Sequence, residues 1–400
     1  MSRTWLLLVL AILQLGIDIV LVAGFPSARR DFLIQMTAGR VADLDGPENL
    51  YDRELQLERQ LEIRHQAQGE DVLLPFNHPP LLVPFLRPLS RLQFDRAYWI
   101  WTAFSALLLT ISVIVMTSAF SDRGASSLQL TAVRMAALTF FPIAVVLAQG
   151  QDTSLLLIGV TAWMVLFRCR RDFAAGVLLS LAAIRPHVAI GLALPFLFAR
   201  RRVFAGYLIG VTILASFSIS LVGIQGVVDY VDLIRESSIG EALVIAETRM
   251  PNFLGLIYRL GAGDSRAMPA MAAWFTWIAF IIATSIWWRK LGTRISAIHC
   301  GLLVVGTLVL VPHIHLHDLA ILTVPPIVAA ADHLAASRAD WELPVIALGI
   351  ASLLLTVMAV TASPVFDICL AAAIFLISAP LVRDLRDMSA NAFRSENPLG

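Results

Sequence analysis

Four hundred residues that are 58% hydrophobic and only 15% charged, with a mean hydropathy of +0.78, leave too few polar side chains to coat a water-soluble globule. A formal net charge of +1 gives no excess that would draw a polyanion, so no nucleic-acid partner is expected. Cys169, Cys300 and Cys369 have no paired spacing, which excludes a disulfide framework and a zinc signature.

The chain opens with an apolar run from Trp5 to Val22. It contains Gln14 and Asp18, and its length fits a retained first span near 5–24 better than a cleaved signal peptide. Further apolar runs predict spans near 97–120, 128–148, 153–167, 203–223, 269–288, 295–311, 316–335, 344–361 and 365–382. The expectation is an all-α polytopic membrane protein of about ten spans, one membrane domain over 1–400, with a large polar loop, 25–96, after the first span. In that loop Asp31–Leu44 predicts an amphipathic helix with Phe32, Ile34, Met36 and Val41 as its apolar contacts. Glu48 to Asp71 is charged, and Phe76-Asn77-His78-Pro79-Pro80 opens a proline-punctuated segment lying along the interface. Trp99, Trp101, Trp287 and Trp288 near span ends read as interface anchors.

Residues 173–199 need a separate argument. They are apolar on both sides of Arg185-Pro186-His187 and are flanked by Arg168, Arg170 and Arg171 before and by Arg200, Arg201 and Arg202 after. As a re-entrant hairpin, the segment leaves Arg200, Arg201, Arg202, Arg289, Lys290, Arg294, Arg338, Arg383, Arg386 and Arg394 inside. Only Arg235, Arg249, Arg259 and Arg266 then fall outside; a single span reverses this asymmetry and breaks the positive-inside rule. Each arm, of about 12 residues or 18 Å, is short of the ~30 Å hydrocarbon thickness, so the tip with Arg185 and His187 sits deep. A charge at that depth is a functional-site candidate, with pairing to an intramembrane acid such as Asp18 as the structural reading. Both termini are then cytoplasmic, with a tail at 383–400, while 25–96, 149–152, 224–268 and 312–315 face out.

The residues that could carry chemistry lie on that outer side. Asp31, after Arg29-Arg30, is placed either to accept a proton from a bound hydroxyl or to cap the helix that follows. His313, His315, His317 and Asp318 either line a polar cavity, form a metal site, or decorate the interface. Gln149-Gly150-Gln151-Asp152 reads as a hairpin turn with Asp152 as a helix cap, and Asn252 also reads first as a cap.

Taken in order, Asp31-Phe32, Gly46 to Tyr51-Asp52, His78-Pro79-Pro80-Leu81, Gly150-Gln151, Ala182 to Pro186, Asn252, and Pro312-His313 with His317-Asp318-Leu319 resemble the motifs of glycosyltransferase family 87. The resemblance implies a GT-C-type bundle, a bacterial plasma-membrane location and an extracytoplasmic site. It further implies an inverting transfer of a sugar, typically mannose, from a polyprenyl-phosphate donor to a glycolipid or glycan acceptor. On that basis Asp31 is the general base, and Arg185, His187 and His313 bind the donor phosphate. Arg30, Tyr51, His78, Gln151, Asn252, His317 and Asp318 become acceptor or sugar contacts. Departures from the family pattern are Arg185 in place of Lys before Pro186, His78 in place of Tyr, and Phe253-Leu254 after Asn252. A phosphodiester donor asks for no metal and no other cofactor. The competing class is a multi-span transporter or lipid flippase, although no second copy of the hairpin or of the long loop supports pseudo-symmetric halves.

Overall fold

The computed structural model describes residues 2–24, 29–64, 74–121, 123–239, 247–261, 267–361 and 364–396, and their regular structure is entirely helical. α1 (Arg3–Gly24) leaves Trp5, Ile12, Ile19 and Val20 exposed, as a lipid-facing helix must. Its polar groups turn inward: Gln14 Nε2 donates to Asp18 Oδ1 at 2.7 Å and to Thr356 Oγ1 at 2.9 Å.

α2 (Arg30–Leu44) is buried all round, with Phe32, Gln35, Met36, Thr37, Ala38 and Val41 at most 3% exposed. The amphipathic helix expected here is thus a packed one. α3 (Arg53–Arg64) and α4 (Val83–Ser90) cover the faces that sequence pattern alone assigns to water. A Cβ on Gly39 would collide with the Leu86 carbonyl of α4, so the two backbones touch. Buried Gln56 and Gln60 accept the backbone N–H groups of Phe76 (2.8 Å) and Leu74 (3.1 Å), which ties the proline-punctuated segment down onto α3.

α5 (Phe94–Ser121) is the second long helix, followed by α6 (Ser127–Leu138) and α7 (Phe141–Gln149), bent 53° from each other. Pro142 sets the bend, because its ring would clash with the Leu138 carbonyl in a continuous helix. The orphaned Phe141 N–H is taken by Ser352 Oγ at 2.8 Å. α8 (Thr153–Arg168) then crosses with only 16 residues, about 24 Å of helix.

The chain next doubles back. α9 (Asp172–Leu179) and a 3₁₀ segment (Ser180–Ile184) run along α8 to Arg185, and α10 (Pro186–Ala193) and α11 (Phe196–Ala199) return. The two ends of this stretch meet: Arg200 donates to both oxygens of Asp172, at 2.8 and 2.6 Å. α12 (Arg201–Ile239) packs against α9 with glycines at the crossing, where a Cβ on Gly176 or Gly206 would strike the facing backbone. The Arg185 end of these helices is called the site end below, and the Arg200 end the far end.

α13 (Phe253–Arg259), α14 (Ala267–Leu291), α15 (Ala297–Leu310), a 3₁₀ run (Leu316–Thr323) continuing into α16 (Val324–Ala335), α17 (Leu343–Val360) and α18 (Val365–Glu396) complete the bundle. Among the described residues seven helices are long and apolar enough to cross a membrane, and α6 with α7 makes an eighth if the bent pair is one span. The remaining two expected spans are the shorter apolar helices α8 and α15, of 16 and 14 residues. Of the four tryptophans read as anchors, Trp99 and Trp287 are exposed, but Trp101 and Trp288 are buried in the core.

The meeting of Asp172 with Arg200 generates a labelling prediction. Native Cys169 is exposed, whereas Cys300 and Cys369 are buried. An impermeant maleimide should reach Cys169, and Arg201→Cys in a Cys169→Ser background, from the same side of sealed vesicles. Labelling from opposite sides would contradict a doubled-back segment.

Candidate active site

The site is built on the turn between α7 and α8. Gly150 has φ +66°, a left-handed conformation that costs glycine nothing, and a Cβ there would lie 2.7 Å from Cβ of Phe32. Trp101 Nε1 donates to the Gly150 carbonyl at 2.8 Å, and Tyr98 Oη to those of Leu147 (3.1 Å) and Ala148 (3.0 Å). Two aromatic side chains of α5 therefore satisfy the last carbonyls of α7. The close seat of Phe32 brings the first turn of α2 onto the same turn, where Gln151 Nε2 donates to Asp31 Oδ2 at 2.8 Å. Asp31 lies inside the first turn of α2 and makes no cap; the N-cap position is Arg29, without a side-chain cap bond.

Arg185, at the point where the chain reverses, is 8% exposed and reaches four side chains. Its Nη2 lies 2.8 Å from Asp152 Oδ1 and 3.4 Å from Gln151 Oε1, its Nε donates to Asp318 Oδ1 at 3.2 Å, and its Nη1 lies 2.5 Å from His78 Nδ1. Asp152 stands at the N-cap position of α8 but makes no cap bond; its Oδ2 lies 2.9 Å from His78 Nδ1. The partner considered for Arg185 from sequence, Asp18, is engaged elsewhere by Gln14. Gln151 thus bridges Asp31 and Arg185 through the two ends of one amide.

Proline shapes this floor twice. Pro186 cannot donate to Ala182, so the Arg185 N–H takes that carbonyl in a 3₁₀ turn at 2.9 Å. Pro325 and Pro326 withhold donors from Ile321 and Leu322, and the chain there is 3₁₀ over Leu316–Thr323. That run opens with a reciprocal cap, in which the His315 N–H donates to Asp318 Oδ2 at 2.9 Å. A row of imidazoles lies beside it: ring centroids of His187 and His313 are 6.2 Å apart, His313 and His315 4.8 Å, and His315 and His317 5.6 Å. His317 Nδ1 pairs with Gln149 Oε1 at 2.9 Å, while His187 Nε2 is buried without a partner.

The expected residues therefore divide. Asp31, His78, Gln151, Arg185, His317 and Asp318 form one connected set, with His187 and His313 along its edge. Tyr51 supports it from outside: its hydroxyl donates to the His78 carbonyl at 2.9 Å, and its ring lies 4.9 Å from that of Tyr230 on α12. Asn252 is a genuine cap, accepting from the Gly255 N–H of α13 at 2.9 Å, while its Nδ2 donates to the Val311 carbonyl at 2.8 Å and so ties α13 to the backbone that precedes His313. The Arg30 side chain lies outside the described residues. Asp152, read from sequence as a cap, proves to be the closest carboxylate to Arg185; its one sequence signal was position, an acid in a polar turn between two apolar helices.

The description of glycosyltransferase family 87 matches residues 76–312, more than half of the chain. The chain belongs to glycosyltransferase family 87. Membership decides between the two classes left open by the sequence, transfer and transport: this family 87 protein is a membrane glycosyltransferase. The matched range contains His78, Gln151, Asp152, Arg185, His187 and Asn252, whereas Asp31 and Tyr51 precede it and His313, His317 and Asp318 follow it. Neither among curated proteins nor among solved structures does anything match.

Burial raises the Asp31 carboxyl above its usual range; the hydrogen bond from Gln151 and the nearby His78 and Arg185 pull it part of the way back. For Asp152, burial also pushes upward, but Arg185 and His78 outweigh it and hold the carboxyl down at about 2. Two acids, one in contact with Arg185 and the other linked to it through Gln151, thus have their carboxyls shifted in opposite directions. For the sequence expectation that Asp31 is a base, the carboxylate is the active form, and activity is expected to fall as pH drops through the raised Asp31 value. In the family 87 enzyme, Gln151→Leu removes the donor that favours the carboxylate, and the acid limb of kcat/KM against pH should move to higher pH. An unchanged limb would separate Gln151 from Asp31 ionisation.

A second prediction follows from the two carboxylates around one guanidinium. Arg185→Ala leaves Asp152 and Asp318 buried without their shared counter-charge and should destabilise the fold by about 3–5 kcal/mol. Adding Asp152→Asn should recover part of the lost melting temperature, because one uncompensated charge is gone. Equal melting temperatures for Arg185→Ala and wild type would show the ion pairs to be dispensable.

Proposed function

We propose that this family 87 transferase moves a sugar, mannose, from a polyprenyl-phosphate donor to a hydroxyl of a glycolipid or glycan acceptor, with inversion. The site end faces the outside of the bacterial plasma membrane and both termini face the cytoplasm. The observation that carries this reading is the Gln151 amide, which holds a carboxylate of raised pKa and a buried guanidinium at one place.

The chemistry follows from those groups. The acceptor O–H gives its proton to Asp31 as its oxygen bonds to the anomeric carbon from the face opposite the phosphate. The bond from that carbon to the phosphate oxygen breaks, the electron pair stays on the oxygen, and polyprenyl phosphate leaves. Because the transition state carries oxocarbenium character, the hydroxyl acidifies late, and a carboxylate suffices as base. Charge growing on the phosphate is met at the floor of the site. Burial, with His315 beside it, holds His313 down at about 3, so this imidazole acts as a neutral N–H donor rather than as a cation. The unpartnered Nε2 of His187 adds a second such contact. Arg185, whose nitrogens are already engaged by the protein, contributes mainly its field and the positions of Asp152, Gln151 and His78. His78, His317 and Asp318 line the sugar and acceptor side, and Tyr51 holds the backbone of His78 in place there.

Asp31→Asn tests the assignment. The amide keeps the shape and can still meet Gln151, so expression and melting temperature should hold. Turnover with radiolabelled polyprenyl-phosphate mannose should fall by about two to four orders of magnitude. A variant that transfers mannose at near wild-type rate would remove Asp31 as the base. Wild-type protein that transfers another polyprenyl-linked sugar in preference to mannose would correct the donor alone.

A further inference from the structure

At the far end, opposite the site, three separate segments of chain converge on a cleft of about 660 Å³. The residues before the hairpin contribute Arg170, its returning arm α11 Phe198, the start of α12 Arg201 and Arg202, and the turn after α14 Thr293, with Asp172 and Arg200 also in the lining. The fourth arginine of the group, Arg200, is neutralised by Asp172 at 2.6 Å and stacks over Phe167 at 5.1 Å. Arg170, Arg201 and Arg202 are exposed and have no ion-pair or side-chain hydrogen-bond partner among the described residues. Arginines at a membrane surface follow from the positive-inside rule alone, but that rule does not require them to converge from both flanks of one hairpin.

The surroundings indicate what kind of anion fits. Phe198 lines the cleft and is 52% exposed, and the two helices that start beside it carry an exposed apolar strip, Phe173 on α9, whose backbone meets α12 at Gly206, with Leu208 and Ile209 on α12. A small inorganic anion would use the guanidinium groups and leave this strip uncovered. A phospholipid uses both, its headgroup phosphate among the arginines and an acyl chain along the strip. Since Asp172 and Arg200 close the base of the hairpin whose tip carries Arg185, a headgroup seated here would also brace the element that builds the site.

We propose that this cleft is a binding site for the headgroup of an anionic phospholipid. The full-length protein, purified in a neutral maltoside detergent, is mixed with phosphatidylglycerol or phosphatidylcholine and examined by native mass spectrometry and thermal melting. Phosphatidylglycerol should be retained and raise the melting temperature, and phosphatidylcholine should do neither. Arg201→Gln with Arg202→Gln should weaken retention about thirtyfold while leaving the melting temperature in phosphatidylcholine unchanged, since both side chains are exposed. Arg289→Gln with Lys290→Gln, outside the cleft, should keep wild-type retention. Undiminished retention by the Arg201/Arg202 variant would overturn the proposal, as would inorganic phosphate reproducing the whole stabilisation. Equal loss in the Arg289/Lys290 variant would also overturn it, by reducing the effect to general surface charge.

Discussion

A guanidinium buried among apolar helices must be met by carboxylates, and Arg185 is met by two that lie far from each other in sequence, Asp152 and Asp318. Taking such a charge out of water costs several kcal/mol unless its donors are satisfied, so these contacts are constraints on the fold rather than ornaments of it. They fix the tip of the doubled-back segment against the turn between α7 and α8 and against the start of the 3₁₀ run before α16. His78 adds the loop after α3, and Gln151 adds the first turn of α2. Four regions separated in sequence are positioned by one side chain.

Helix length supports the same arrangement. α8 and α15 are short, about 24 and 21 Å, and the arms beside α8 are of similar length, while α1 and α5 are longer and α12 runs from Arg201 to a break at Gly223. Trp101 of α5 meets Gly150, so α5 extends about 10 Å above the turn that carries Gln151. The polar floor of the site accordingly lies below the end of α5, at a level where polar backbone and side chains must be covered by protein. At the far end further polar contacts close the bundle: Arg168 pairs with Asp332 at 2.7 Å, and buried His333 lies 2.6 Å from Asp384.

Several parts of the site were legible as residues before they were legible as a site. Asp31 after an apolar run, and Arg185 between two arms too short to span, stand out because a charge in such a place demands an explanation. Asp152 did not, because an acid before a helix is explained equally well by capping; only the direction of its carboxylate distinguishes the two. Asn252 shows the converse, since the capping role that its spacing suggests is the one it has. Trp101 and Trp288 misled in the same way: a tryptophan near a span end satisfies the pattern of an interface anchor whether it faces lipid or core.

The amino-acid sequence by itself determined the all-helical, many-span class, the order of the apolar segments, and the family. The class and the order rest on a local quantity, the length of each apolar run. Tertiary structure decided what each polar side chain does. Whether α2 is amphipathic or buried all round depends on α3 and α4 covering it, and whether Asp152 caps α8 or neutralises Arg185 depends on a guanidinium 33 residues away. Hydropathy reports the transfer of one residue between solvents, whereas the partner of a buried charge is set by which segments a fold brings within about 3 Å of it.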